Sequence, residues 1–82
     1  MATVLVVGAD EGLLERALAR LDEDDGAIVV DPSAVALAAL EQTVRDPRVW
    51  YQIGDADVVP LPDRFVDEAL GERSDDVERV LR

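Results

Sequence analysis

Short apolar runs and longer stretches with helical spacing alternate along the chain. Thr3–Val7 is an uncharged, β-branched run followed by Gly8, and such a run predicts a strand that is buried on both faces. Ala27–Val30 is a second run of this kind and ends at Asp31. The third run, Arg48–Ile53, combines β-branched and aromatic residues, which favour a strand. The sequence therefore predicts three short strands.

Helical periodicity fills the two intervals between these strands. The first interval predicts a helix that Gly26 is expected to end. Its apolar residues at helical spacing are Leu13, Leu14, Ala17, Leu18 and Leu21. The second interval predicts a helix over Val35–Val44, which begins after Pro32 and stops before Pro47.

The C-terminal third has a less regular pattern. Val58–Asp63 contains two prolines, so we expect an extended or irregular segment. Phe65–Leu70 favours a short helix, with a degraded strand as the alternative. Ser74 is a suitable N-cap for a last helix that runs to Arg82.

Strands that alternate with helices predict an α/β fold with a parallel sheet. Right-handed crossovers place the three strands side by side in the order 3-2-1. We expect a single domain over residues 1–82, with flanking helices and a C-terminal helix. This arrangement corresponds to half of a Rossmann-like fold.

Aromatic residues are scarce, so Val, Leu, Ile and Ala must build the core. The chain contains one Trp, one Tyr and one Phe. Trp50 and Tyr51 are adjacent on the third predicted strand and therefore point to opposite faces of the sheet. We expect one of them in the core and the other over a helix face or a partner.

Composition narrows the chemistry further. The chain has no Cys, His or Lys, which excludes disulfides, imidazole metal sites and lysine-based catalysis. Its net charge is −11, so we expect neither nucleic acid nor an anionic membrane as a partner. We expect no bound metal and a cytoplasmic location.

A glycine turn and a strand-terminal acid form the clearest binding pattern. Gly8 ends the first strand, Gly12 opens the following helix, and Asp31 ends the second strand. In dinucleotide-type folds such glycines let the backbone approach a ligand, and the acid binds ribose hydroxyls.

Three blocks lie in order at the ends of the predicted strands. They are Val4–Gly12, Val30–Ser33, and Gly54–Asp57 followed by Val59–Asp63. Together they resemble motif I, the end of strand two, and the end of strand three with its following loop in class I S-adenosylmethionine-dependent methyltransferases. The small-molecule branch of that family is the most similar.

The resemblance implies a binding site for S-adenosylmethionine. The turn after the first strand would face the methionine end of the cofactor. Asp31 would bind the ribose hydroxyls, and Asp55 would lie beside the adenine amino group. The implied cofactor-binding residues are Gly8, Ala9, Asp10, Gly12, Asp31, Pro32, Asp55 and Ala56.

Each of these residues also has a structural interpretation. Asp31 could cap the second helix, Asp55 could be a turn residue, and the glycines could serve turns and close packing. Asp10 departs from the family pattern, because it replaces a glycine and places a negative charge near the cofactor's carboxylate.

The resemblance also implies what this chain lacks. Phe65–Gly71 stands where the family has its fourth strand and is too acidic for a central strand. Strands four to seven, and the substrate pocket they form, are then absent. Methyl transfer depends on positioning an acceptor, so we expect no catalysis and assign no catalytic residue.

A missing fourth strand would leave Thr3–Val7 as an apolar edge strand, which favours association. We expect a homodimer through this strand and the C-terminal helix. Alternatively, the segment after Pro62 covers the edge, or a separate chain supplies the missing half.

The predicted function is a truncated, non-catalytic, dimeric binding or interaction module. The alternatives are a sensor or carrier of S-adenosylmethionine or an adenine nucleoside, and one subunit of a split methyltransferase.

Overall fold

Four parallel strands form the centre of the computed structural model, which describes residues 1–82. The strand order is β3-β2-β1-β4. In chain order the elements are β1 Thr3–Val7, α1 Glu11–Leu18, β2 Gly26–Asp31, α2 Ala34–Thr43, β3 Val49–Ile53, β4 Glu68–Gly71 and α3 Asp75–Val80. The predicted α/β class and the order 3-2-1 are confirmed, and a fourth strand extends the sheet.

Side chains alternate between two apolar layers, as expected for strands buried on both faces. Val4 and Val6 of β1 pack under α1 and α2, together with Leu14 and Leu37 of those helices. The opposite layer is formed by α3 and the segment before β4, and its buried residues include Leu5, Val7, Ile28, Val30, Val66, Val77 and Val80.

The two aromatic residues of β3 lie on opposite faces of the sheet as predicted, but neither is buried, so the expectation of one in the core was wrong. Tyr51 packs in the α1/α2 layer, and its hydroxyl donates to the Val44 carbonyl at 3.4 Å. Trp50 is 59% exposed on the α3 side.

The three-stranded prediction was wrong because Glu68–Gly71 is a strand. β4 pairs with β1 in parallel, with Ala69 beside Leu5 and Leu70 beside Val6. Its acidity is tolerated because β4 lies at the sheet edge, where Glu68 pairs with Arg20 at 2.6 Å. The two apolar residues in the middle of the strand enter the two layers.

The pairing of β1 with β4 changes the basis of the predicted homodimer. Thr3–Val7 is an inner strand, and Asp67 accepts a hydrogen bond from the Thr3 N–H at 2.8 Å beside it. The segment after Pro62 therefore covers this edge, which is one of the alternatives raised by the sequence. The homodimer stays a prediction, but strand pairing would now use the outer strands, β3 or β4.

Side-chain caps define the helix starts. Asp10, Ser33 and Ser74 accept hydrogen bonds from N–H groups in the first turns of α1, α2 and α3, respectively. The helices predicted over Val35–Val44 and from Ser74 to Arg82 are confirmed within two residues. The short helix predicted over Phe65–Leu70 was wrong, and its strand alternative is correct, because Glu68–Gly71 pairs with β1. The first helix ends earlier than predicted, at Leu18, and Gly26 instead begins β2.

No helix combines the length and apolar character needed to cross a membrane.

Arg48 joins the end of α1 to the turn before β3. Its guanidinium donates to both carboxylate oxygens of Asp46, at 3.0 and 2.8 Å, and to the Leu21 carbonyl at 2.6 Å. The Arg48 side chain and then its backbone N–H lower the pKa of the Asp46 carboxyl to about 2. Such a bidentate contact fixes both loops at once.

This pair predicts a pH dependence of stability. The pKa of Asp46 is lower in the folded protein than its ordinary value of 3.8. Its stabilising contribution is therefore complete above about pH 4 and is lost as the pH falls through about 2. We expect the difference in unfolding free energy between wild type and Asp46→Asn to shrink over that interval in urea titrations. Using the difference removes the effect of the other carboxylates, and a constant difference would contradict the prediction.

Candidate functional site

A cleft of about 220 Å³ lies beyond the carboxyl ends of the strands. Open parallel sheets bind their ligands in this position, where the loops after neighbouring strands diverge. The residues that line the cleft are Val7, Gly8, Val30, Asp31, Pro32, Asp55, Ala56, Asp57 and Glu72. The cleft therefore brings together five of the eight residues implied by the family resemblance.

Gly8 presents bare backbone to this cleft. Its φ is +112°, a conformation that L side chains rarely adopt. Apart from Gly8 and its two chain neighbours, no residue has an atom within 4 Å of the place where a Cβ would be, so the space beside Gly8 is open. Its N–H donates to the Val30 carbonyl at 2.7 Å, which fixes the turn between β1 and α1.

Asp31 connects the two loops that border the cleft. One carboxylate oxygen accepts from the Ala9 N–H at 2.8 Å and the other from the Ser33 N–H at 2.8 Å. The cap of α2 is Ser33, not Asp31, because the Ser33 hydroxyl accepts from the Ala36 N–H. Each oxygen of Asp31 keeps acceptor capacity for a ligand hydroxyl.

Asp55 forms a tight turn on the opposite side of the cleft. One of its carboxylate oxygens accepts from the N–H groups of Asp57 and Val58, at 2.9 and 3.0 Å. This is the turn role that the sequence allowed, and the second oxygen has no hydrogen bond within the chain. Ala56 is buried, and its carbonyl accepts from the Ser74 hydroxyl, which attaches this loop to α3.

The other three residues implied by the resemblance lie outside the cleft lining. Asp10 is exposed and caps α1 through the Leu13 N–H at 3.0 Å. Gly12 is exposed in the first turn of that helix. Ala9 faces a shallow depression between α1 and α2, although its N–H contacts Asp31.

Two acidic residues of the cleft were not predicted from the sequence. Asp57 belongs to the predicted turn, so its position in the third block was a usable signal. Glu72 follows β4 and gave no signal, because a strand was predicted there only as the alternative to a helix. With Asp31 and Asp55 they make four carboxylates in a lining that has no cationic side chain.

This charge pattern restricts the ligand. A lining with four carboxylates and no cation disfavours phosphate and other anions relative to neutral hydroxyls and cationic groups. The structure contains no cluster of three or more His, Cys, Asp or Glu side chains arranged to hold a metal ion.

No known family model and no curated protein sequence matches this chain. The resemblance to methyltransferases therefore depends on the three sequence blocks.

Proposed function

We propose that this chain is a non-catalytic binding protein whose cleft holds an adenine nucleoside or the nucleoside part of S-adenosylmethionine. One observation carries the proposal. Gly8, Asp31, Pro32, Asp55 and Ala56 come from three separate sequence blocks and line a single cleft. The role would be that of a sensor or carrier of the ligand.

The size of the cleft supports a nucleoside. Pockets for drug-sized ligands usually enclose about 300–1,000 Å³, and this cleft encloses about 220 Å³. It suits a sugar with its base better than a complete cofactor with a methyl acceptor. Because methyl transfer needs both reactants held together, the volume favours binding over catalysis.

The charges support the same ligand class. Asp31 offers two acceptor oxygens for the two hydroxyls of a ribose. The carboxylates nearby disfavour a nucleotide phosphate and favour a sulfonium or ammonium group. A nucleoside with a neutral or cationic 5′ substituent fits this lining.

Calorimetric titration tests the proposal with adenosine, S-adenosylhomocysteine and adenosine monophosphate. We expect the first two to bind and the monophosphate to bind at least about tenfold more weakly, since its charge opposes the carboxylates. Asp31→Asn should reduce the affinity for adenosine by roughly 10- to 100-fold, because the substitution removes a charged hydrogen-bond acceptor.

Asp10→Asn is the matched control. It makes the same change of charge on the neighbouring loop, outside the cleft lining, and asparagine is an equally good N-cap. Its affinity for adenosine should equal that of the wild type. Thermal unfolding without ligand shows whether each variant folds. Absence of adenosine binding to the wild type, or equal effects of the two substitutions, would refute the proposal.

A further inference from the structure

A second and larger cavity, of about 380 Å³, lies at the opposite end of the strands. It opens on the α3 face, beside Thr3 and Gly26, where β1 and β2 begin. The cleft of the proposed function lies beyond the carboxyl ends of the same strands. We call this second cavity the amino-end groove. Its apolar lining residues are Met1, Ile28, Trp50, Leu61 and Phe65.

The groove exists because α3 is too short to cover the sheet. Its six residues extend only about 9 Å. Val77 and Val80 of α3 pack in the layer that holds Leu5 and Ile28. The part of this face that belongs to β3 stays open, so Trp50 is 59% exposed and Phe65 is 40% exposed.

Gly26 holds the indole of Trp50 in place. A Cβ built on Gly26 would lie 2.5 Å from Cζ3 of Trp50, so the ring lies directly against the glycine backbone. Gly26 is itself buried beneath the ring. The aromatic wall of the groove is therefore supported from below, although its outer surface meets solvent.

Two carboxylates give the groove a charge preference. Asp24 and Asp25 are its only lining residues with charged side chains, and no arginine lines it. Asp25 accepts hydrogen bonds from the N–H groups of Asp22 and Ala2, at 2.8 and 2.7 Å, and these bonds lower the pKa of its carboxyl. The terminal ammonium of Met1 also acts on Asp25. Asp24 is exposed and makes no hydrogen bond through its side chain, so it is free to contact a ligand.

We propose that the amino-end groove binds a small amphipathic cation, a molecule with an aromatic or aliphatic body and a protonated amine. The volume lies within the usual range for small-molecule pockets. Apolar and aromatic walls bury the body, and Asp24 pairs with the amine. Aromatic faces attract cations as well, which adds to the preference.

Other occupants fit the charges less well. A second copy of the chain would bring another net charge of −11 toward the same acidic rim, and the two copies would repel each other. An anionic amphiphile would meet the same repulsion. A neutral apolar molecule would gain the burial but not the ion pair.

Trp50 is the single tryptophan of the chain, so its fluorescence reports directly on the groove. The wild type is titrated with 4-phenylbutylammonium, 4-phenylbutan-1-ol and 5-phenylpentanoate, which share one phenylbutyl body. We expect the ammonium compound to bind most tightly and the carboxylate at least about tenfold more weakly. Equal affinities, or no spectral change with any of them at millimolar concentration, would overturn the proposal.

Three variants identify the source of the effect. Asp24→Asn should reduce the affinity for the ammonium compound toward that for the alcohol and leave the alcohol unchanged. Glu15→Gln makes the same charge change on α1, outside the groove lining, and should change neither. Gly26→Ala should displace the indole of Trp50 and reduce the affinity for all three compounds. If Asp24→Asn and Glu15→Gln changed the affinity equally, the preference for the cation would come from the overall negative charge of the protein. That result would overturn the contact assigned to Asp24.

Sedimentation velocity separates a ligand site from a docking surface for a second copy. The proposal expects a Trp50 spectrum that is independent of protein concentration, even if copies of the chain associate elsewhere through the sheet edge. A dimer that protects Trp50 in the absence of ligand would assign the groove to self-association and overturn the proposal.

Discussion

Gly71→Ala is expected to cause the largest loss of stability of any glycine substitution in this chain. Gly71 ends β4 with φ +99°, a conformation that alone costs another residue about 1–3 kcal/mol. A Cβ at this position would also lie 2.3 Å from the carbonyl oxygen of Val7. That oxygen belongs to the backbone of an inner strand and cannot move without disturbing the sheet, so the overlap adds to the strain.

Urea unfolding followed by circular dichroism measures this effect. Gly12→Ala is the matched control, because Gly12 lies in a helix and its nearest obstacle is the Asp10 side chain at 3.3 Å. The control should be neutral or stabilise by up to about 1 kcal/mol. If Gly71→Ala unfolds at the wild-type urea concentration, the pairing of β4 with β1 is incorrect.

Arg79→Met is expected to cause the largest loss among the arginine substitutions. The Arg79 guanidinium donates to both oxygens of Asp76 at 2.7 and 3.2 Å, and to Asp63 at 2.6 Å. It also donates to the carbonyl oxygens of Val59 and Leu61, both at 2.9 Å. One side chain of α3 therefore holds the proline-containing segment against the sheet.

Methionine keeps the apolar stem of this side chain and removes all of its donors. The Asp76 carboxylate would still accept from the Val59 N–H but would lose its ion pair with Arg79. Because that contact lowers the pKa of Asp76, the pKa would rise in the variant. We expect the melting temperature to fall by roughly 5 °C or more.

Arg73→Met is the matched control, since Arg73 is exposed and makes a single ion pair with Glu78 at 3.4 Å. Exposed pairs of this kind contribute little. Equal melting temperatures of the two variants would show that the Arg79 contacts do not hold the segment.

Local sequence signals predicted most of the sheet and its helices. The uncharged runs of β1 and β2 and the caps at Ser33 and Ser74 act over a few residues, so they can be read directly. The fourth strand was predicted only as an alternative to a helix, because its one acid, Glu68, is paired by a distant residue. Arg20, which pairs with Glu68, lies far away in the sequence.

The sequence predicted those residues of the candidate site that lie at the ends of predicted strands. Gly8, Asp31 and Asp55 lie at the carboxyl ends of three neighbouring parallel strands, so the topology brings them to one edge of the sheet. Glu72 could not be assigned to the site without β4. Asp10 lies on the adjoining turn, but its side chain turns back to cap α1, a choice made by local hydrogen bonding.

The place of β1 inside the sheet has a consequence for folding during synthesis. This strand is made before the other three strands of the sheet, yet one of its hydrogen-bonding edges stays open until Glu68–Gly71 leaves the ribosome. A nascent chain that stops after β3 therefore displays an uncharged, aggregation-prone strand edge. Rapid closure by the last strand, or shielding by a chaperone, would decide how much of the newly made protein reaches the native state.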